Sequence, residues 1–64
     1  MKIYLERQKK FISKKFSGKI INLLNQLKIN SNEVLVVKNG GLINEEEIVE
    51  DSDEIRILSV ISGG

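Results

Sequence analysis

The residues with the clearest chemical potential end the sequence, Ser62-Gly63-Gly64, directly after an apolar stretch at 55–61 that is typical of a β-strand. Glycine has no Cβ, so two successive glycines form a slender tail that can enter a channel closed to other residues. A carboxylate presented in this way suits activation by another enzyme better than catalysis by this chain. Chain ends are also often flexible and rich in glycine without a special role. The dipeptide alone does not decide between these interpretations.

Histidine and cysteine are both missing from the 64 residues. Without cysteine there is no disulfide, thiolate nucleophile or zinc–thiolate site. Without histidine there is neither the usual general base near neutral pH nor the commonest metal ligand. The remaining residues form no recognisable catalytic constellation. We therefore expect a small single-domain protein that is not an enzyme and binds no metal or cofactor of its own.

The charges are strongly divided along the chain. Residues 1–32 carry eight lysines or arginines against Glu6 alone, and residues 33–64 carry two basic residues against eight acidic ones, which gives formal charges of +7 and −6. The resulting dipolar surface either steers charged partners or simply keeps both halves soluble. Lysine-rich strands can bind phosphates, but Phe11 and Phe16 are both expected inside. The sequence therefore does not favour nucleic-acid binding, which needs exposed aromatics beside the cations.

The first half of the chain predicts a β-hairpin followed by a helix. Met1, Ile3 and Leu5 alternate with polar residues, as in a half-buried strand. After a turn at 7–9, a second, lysine-rich edge strand is expected at 10–15 with Phe11 pointing inward. Ser17 is the predicted N-cap of a helix within 18–28. This helix carries one apolar stripe, formed by Ile20, Leu23, Leu24 and Leu27.

The second half predicts three more strands. The β-branched run within 33–38 is typical of a strand buried on both faces, and Asn39-Gly40 is a strong hairpin signal before a short strand at Leu42-Ile43. Residues 44–47 predict one capped helical turn. A further turn at 51–53 precedes the last strand, in which Ile55, Ile57 and Ser59 alternate with Arg56, Leu58 and Val60.

The expected order is β-β-α-β-β-β, an α+β domain with a mixed sheet of four to five strands and one helix packed across it. The helical crossover lets the first and last strands lie side by side in parallel, which is the β-grasp arrangement. The predicted domain covers 1–61, and 62–64 form a flexible tail. No apolar run approaches the roughly 18 residues of a membrane span, and the N-terminus has no secretory pattern. We expect a cytoplasmic monomer without membrane contact.

Four segments of the sequence resemble the ubiquitin-like sulfur carriers of the ThiS and MoaD type and the related small archaeal modifiers. They are the opening strand at 1–5, the helix at 18–27, the hairpin at 34–40 and the ending at 51–64. The ending is the specific part, with an acidic turn, a strand and a terminal Val-Ile-Ser-Gly-Gly. Leu58-Ser59 is similar to the thiamine-type ending, whereas the short segment at 44–51 is closer to the molybdopterin and archaeal types. Ser52 stands where relatives commonly have glycine.

The resemblance implies a protein on which other enzymes act. An adenylating enzyme, using ATP and magnesium, would activate Gly64, and a sulfur donor would convert it to a thiocarboxylate. Gly63 and Ser62 would enter the partner's channel, and Val60 and Ile61 would contact its groove. A synthase or thiolase would then receive the sulfur for a thiazole, a pterin or a tRNA base. In modifier-type relatives the activated glycine is instead joined to a lysine of another protein.

Overall fold

The structure, a computed structural model, describes residues 1–60 and contains one α-helix, seven strands and two short 3-10 turns. The elements follow the chain in the order β1 Lys2–Leu5, β2 Lys10–Ser13, β3 Gly18–Lys19, α1 Ile20–Gln26, β4 Val34–Lys38, β5 Gly41–Ile43, β6 Ile48–Val49 and β7 Glu54–Ser59. The 3-10 turns span Glu6–Gln8, after β1, and Ser31–Glu33, before β4.

Five strands form the main sheet in the order β2-β1-β7-β4-β5. The first and last strands are parallel neighbours at its centre, with Ile3 opposite Ile55 and Leu5 opposite Ile57. The other neighbours in this sheet are antiparallel. The α1 crossover between β2 and β4 allows this arrangement, because it carries the chain across the sheet before it returns along β4 and β7. The predicted β-grasp order is confirmed.

The core lies between α1 and one face of this sheet. Each strand contributes alternate residues to it, and α1 contributes the stripe expected from its 3.6-residue period. The buried hydrophobic residues are Ile3, Leu5, Ile20, Leu23, Leu24, Val36, Val49, Ile55 and Ile57. Leu27, the last residue of the predicted stripe, is half-buried and packs against them. The predicted alternation along β7 is confirmed, with Ile55 and Ile57 on the buried side.

The helix begins later than the sequence predicted. Ser17 is not its N-cap: α1 starts at Ile20, and Lys19 occupies the cap position without a side-chain hydrogen bond. The N–H groups of Ile20 and Ile21 donate instead to the carbonyls of Glu47 and Glu45, at 2.9 and 3.0 Å. A second, two-stranded sheet of β3 and β6 brings these carbonyls to the helix start. Tertiary contacts therefore replace the side-chain cap.

The helix ends at Gln26 in a Schellman motif. Lys28 has a left-handed backbone with φ of 59°, and the N–H of Ile29 donates to the carbonyl of Leu24 at 2.8 Å. The N–H of Lys28 donates to the carbonyl of Asn25 at 3.1 Å. These two bonds satisfy carbonyls that the helix itself leaves free. The turn directs Ile29 back onto the core, against which it packs.

The prediction for the second strand was wrong about its inward residue. The β1–β2 register sets Ile12 opposite the buried Ile3, and Phe11 opposite Tyr4. Ile12 therefore packs against the core, while Phe11 is 57% exposed on the other face. A register shift of one residue exchanges the two faces of a strand, and the turn at Glu6–Gln8 sets this register. Phe16 does pack against the core, as predicted.

The prediction that β4 is buried on both faces was also wrong. Val36 is buried, but Leu35 beside it is 46% exposed. Among the described residues only one layer, α1, covers the sheet, so the opposite face of β4 stays open. The β-branched run indicated a strand correctly but could not indicate how many layers pack against it.

The predicted turns of the second half are confirmed. Asn39 and Gly40 join β4 to β5 with φ of 50° and 88°, and both angles lie in the left-handed region that a tight hairpin needs. Asn44 caps one turn, since its side-chain oxygen accepts from the N–H of Glu46 at 2.8 Å. The turn at 51–53 leads directly into β7.

Candidate functional site

The candidate site is the point where the chain leaves the end of β7. The N–H of Ser59 donates to the Glu6 carboxylate at 3.1 Å, and the N–H of Val60 donates to the Glu33 carbonyl at 2.9 Å. The two acceptors lie on opposite sides of the strand, Glu6 after β1 and Glu33 before β4. The backbone at the base of the terminal segment is therefore held from both sides.

The sequence interpretation missed Glu6 and Glu33. Strand β1 ends at Leu5 opposite Ile57, so the backbone of β1 offers Ser59 no partner. The Glu6 carboxylate accepts the Ser59 N–H in place of a backbone carbonyl of β1, and so extends the pairing between β1 and β7. The available signal was the position of Glu6, directly after β1, which is the shorter of the two central parallel strands. Its role could be predicted only if the β1–β7 register was known. Glu33 acts through its backbone and gave no side-chain signal.

Apolar side chains cluster on the open face of the sheet beside this exit. We call this cluster the exit patch, and it consists of Leu35, Val37, Leu42, Leu58 and Val60. Leu35 lies opposite Leu58, and Val37 opposite Leu42. Leu42 is 66% exposed and Val60 is 44% exposed. Contiguous exposed apolar surface of this kind commonly marks a protein-binding site.

A cavity of about 180 Å³ lies on the other side of the exit, between the end of α1 and the two 3-10 turns. Its walls combine apolar residues with two cations, Arg7 and Lys28, and it reaches Ser59. Sites for small organic ligands usually measure about 300–1,000 Å³. The cavity is therefore smaller than a typical nucleotide site. Residues 1–60 also contain no group of three or more His, Cys, Asp or Glu side chains placed to hold a metal ion.

Two carboxylates stabilise loops at the opposite end of the sheet, before the start of β7. Asp51 accepts from the N-terminal amino group at 2.9 Å and from the N–H of Phe16 at 3.1 Å, and these bonds lower the pKa of Asp51. Asp53 accepts from the N–H of Glu50 at 2.7 Å and from Asn39 at 3.0 Å, which lowers the pKa of Asp53. Hydrogen bonds to the charged form have this effect. Both residues stabilise loops away from the exit.

Of the predicted site residues, Val60 is the last residue that the structure describes. Val60 is exposed at the exit, where its side chain is accessible to a partner. Ile61, Ser62, Gly63 and Gly64 lie outside the described residues. No helix in residues 1–60 is long and apolar enough to cross a membrane.

Fold and exit together define a class of protein: a small ubiquitin-like domain whose last strand is central in the sheet and leads out beside an open apolar face. A sequence model of the ThiS family matches residues 7–64, so the chain belongs to the ThiS family. The resemblance to the ubiquitin-like sulfur carriers noted from the sequence is thereby confirmed. The match covers both the exit and the terminal glycines.

A solved structure supports the same assignment. The chain is similar to a thiamine biosynthesis protein from Geobacter metallireducens, determined by NMR in solution, with 26% sequence identity and a TM-score of 0.60. The similarity covers 100% of this chain and 88% of the other. No curated protein matches the chain significantly.

Proposed function

We propose that this chain is a sulfur carrier of thiamine biosynthesis and that Gly64 is its reactive residue. A partner enzyme uses ATP and magnesium to adenylate the Gly64 carboxylate, and pyrophosphate leaves. Sulfide then attacks the acyl carbon and displaces AMP, which leaves a thiocarboxylate. Where the donor is a persulfide, its terminal sulfur displaces AMP to give an acyl disulfide. A thiol then cleaves the S–S bond, forming a disulfide with the donor's inner sulfur and releasing the thiocarboxylate. A synthase finally takes the sulfur for the thiazole precursor. The ATP and magnesium belong to the partner's site, and this chain contributes the carboxylate.

The observation that carries the proposal is the ThiS family match, which runs through the terminal glycines. The name of the Geobacter protein favours thiamine over the molybdopterin and tRNA pathways that the sequence left open. The composition agrees, since a carrier whose sulfur is bonded to its carboxyl carbon needs neither cysteine nor histidine. We propose a cytoplasmic monomer, with residues 1–61 as its domain and 62–64 as its tail.

The domain's contribution is to present the tail. The bonds to Ser59 and Val60 fix where the chain leaves the sheet, and each is worth about 0.5–1.5 kcal/mol. Beyond this anchor, Ser62 and Gly63 enter the partner's channel, where the missing Cβ of glycine admits a narrow passage. A fixed starting point lowers the entropy lost when the tail is ordered in that channel.

The exit patch serves as the partner's docking surface. Its exposed apolar residues lie beside Val60, so a partner that covers them brings its own active site within reach of the tail. Four residues beyond Val60 extend at most about 14 Å, since each spans about 3.3–3.6 Å. We further propose that Ile61 contacts the partner.

The test is an incubation with ATP, magnesium, the host's adenylating enzyme and a sulfide source, followed by measurement of the intact mass. We expect a gain equal to the replacement of one oxygen by sulfur. A variant lacking Gly63 and Gly64 is the control and should show no gain. If the mass of the full chain stays unchanged while a known carrier of the same host reacts, the proposal fails. Conjugates on lysines of other proteins would instead indicate a modifier.

A further inference from the structure

Two aromatic side chains lie together on the open face, on β1 and β2, at the edge of the sheet away from the exit patch. The rings of Tyr4 and Phe11 have centroids 4.8 Å apart and are tilted by 48°. Phe11 is 57% exposed, although phenylalanine normally buries its ring. Neither ring contributes to the buried core on the helix side. The fold therefore does not explain why an aromatic residue stands at position 11.

The two rings belong to a row that crosses all five strands. The registers set Phe11 opposite Tyr4, Tyr4 opposite Arg56, Arg56 opposite Val37 and Val37 opposite Leu42. With strands about 4.8 Å apart, the row is about 19 Å long. One end is apolar and belongs to the exit patch. The other end is aromatic and basic, and we call Lys2, Tyr4, Phe11 and Arg56 the aromatic–basic surface.

The cations of this surface lie over the rings. The Lys2 ammonium is 5.1 Å from the Phe11 centroid, and the Arg56 guanidinium is 5.7 Å from the Tyr4 centroid. The register sets Glu54 opposite Lys2, yet no ion pair within 4 Å joins them. The hairpin and its continuation carry five further cations, Arg7, Lys9, Lys10, Lys14 and Lys15, of which Arg7 lines the cavity at the exit. None of these five pairs with a carboxylate within 4 Å in residues 1–60.

We propose that the aromatic–basic surface binds single-stranded nucleic acid, with bases stacked on Phe11 and Tyr4 and phosphates held by Lys2, Arg56 and the neighbouring lysines. Exposed aromatic rings between cations on a sheet are the features that such binding requires. The sequence disfavoured this partner because Phe11 was expected inside, and the register removes that objection. The proposal stands independently of the role of Gly64.

Lys2 and Arg56 do not block the rings. Both are exposed, and a cation–aromatic contact at an exposed site is weaker than the stacking of a base on the same ring. A base can therefore take the place of the cation, which then lies beside the strand and can contact its phosphates. Duplex nucleic acid offers no free base faces, so it cannot use the rings in this way.

The experiment measures the fluorescence anisotropy of a labelled oligouridylate of about 12 nucleotides, a length within known single-strand site sizes, titrated with the full chain. Three to four phosphate contacts predict an affinity loss of about 20- to 50-fold between about 50 and 200 mM salt. We expect Phe11→Ala to weaken binding by about 5- to 160-fold, the range for loss of one stacked base. Phe11→Tyr, which keeps a ring, should bind like the original chain.

Ile48→Ala is the matched control, since it removes an exposed apolar side chain on β6, outside both the aromatic–basic surface and the exit patch, and should leave the affinity unchanged. Heparin, a polyanion without bases, separates stacking from charge attraction, because Phe11→Ala should not alter heparin binding. Circular dichroism verifies that each variant is folded. The proposal is overturned if the oligouridylate does not bind, if Phe11→Ala binds it as well as the original chain, or if a duplex of equal length binds equally tightly.

Discussion

The two faces of the main sheet share one backbone but differ in burial. On the covered face, Ile3, Ile55 and Ile57 are buried beneath α1. On the open face, the neighbouring residues Tyr4, Arg56 and Leu58 have no covering layer among the described residues. Successive residues of one strand alternate between these faces, so the same local propensity serves both.

This difference in burial assigns stability to the covered face and partner binding to the open face. The covered face already supplies a closed core, so the apolar residues of the open face are not required to complete it. Large apolar and aromatic side chains on an uncovered sheet carry a risk of aggregation. Their presence in a chain of only 64 residues is best explained by partners. Changes on the covered face should thus lower stability, and changes on the open face should lower binding.

The largest expected effect is on the covered face. Leu23 is fully buried in α1, so Leu23→Ala should lower the free energy of unfolding by about 2–5 kcal/mol, from lost burial and the cavity left behind. A domain of this size has a free energy of unfolding of only about 3–10 kcal/mol in total, so the substitution should remove a large part of it. Urea titration followed by circular dichroism measures the loss. Leu42→Ala, on the open face, should stay within about 0.5 kcal/mol of the original chain.

The sequence predicted the covered face better than the open one. The periods of α1 and β7 identified Ile20, Leu23, Ile55 and Ile57 because burial under a single helix repeats at fixed spacings. Phe11 was assigned to the wrong face because the register depends on the turn at Glu6–Gln8, which has no glycine or proline signal. Strands β3 and β6 were missed because two residues are too few to show a period.

The candidate site was predictable in part. The apolar and glycine-rich ending was visible in the sequence, and the family match includes it. The Glu6 carboxylate could not be assigned, because its role appears only once β1 is known to end opposite Ile57. The exit patch likewise depends on pairings between distant strands, such as Leu35 with Leu58.

The open face gives the next prediction. Leu35→Thr introduces a β-branched residue that suits a strand but removes apolar area from the exit patch. Under the proposed function, affinity for the adenylating enzyme should therefore fall about 10-fold. The free energy of unfolding should change by less than about 1 kcal/mol, since Leu35 is partly exposed. Calorimetric titration against the enzyme provides the affinity. Ile48→Thr, also exposed but on β6, is the matched control, and an equal loss there would contradict a localised docking surface.

A smaller effect on stability is expected at the exit, where the Glu6 carboxylate holds the end of β7. Glu6→Ala removes the acceptor for the Ser59 N–H and should cost about 1 kcal/mol of unfolding free energy. Glu6→Gln keeps an acceptor oxygen and should lose less. Under the proposed function, hydrogen exchange at Ser59 and the rate of thiocarboxylate formation should change together across the two variants. Unaltered exchange at Ser59 in Glu6→Ala would show that the carboxylate does not hold the strand.

The smallest effect concerns pH and the opposite end of the sheet. The hydrogen bonds from the Glu50 N–H and from Asn39 lower the pKa of Asp53 in the folded state. A carboxyl group with a lowered folded pKa stabilises the fold above its unfolded pKa, and that stability is lost as the pH falls through the folded pKa. The midpoint of urea unfolding should therefore decrease below about pH 4, near the ordinary pKa of aspartate. The stability of Asp53→Asn should depend less on pH in this range. Glu45→Gln is the control, because the Glu45 carboxylate has no hydrogen-bond or ion-pair partner described in residues 1–60, and its profile should match that of the original chain. Equal profiles for Asp53→Asn and the original chain would mean that the loop is held by its backbone bond from Asp53 to Glu50 alone.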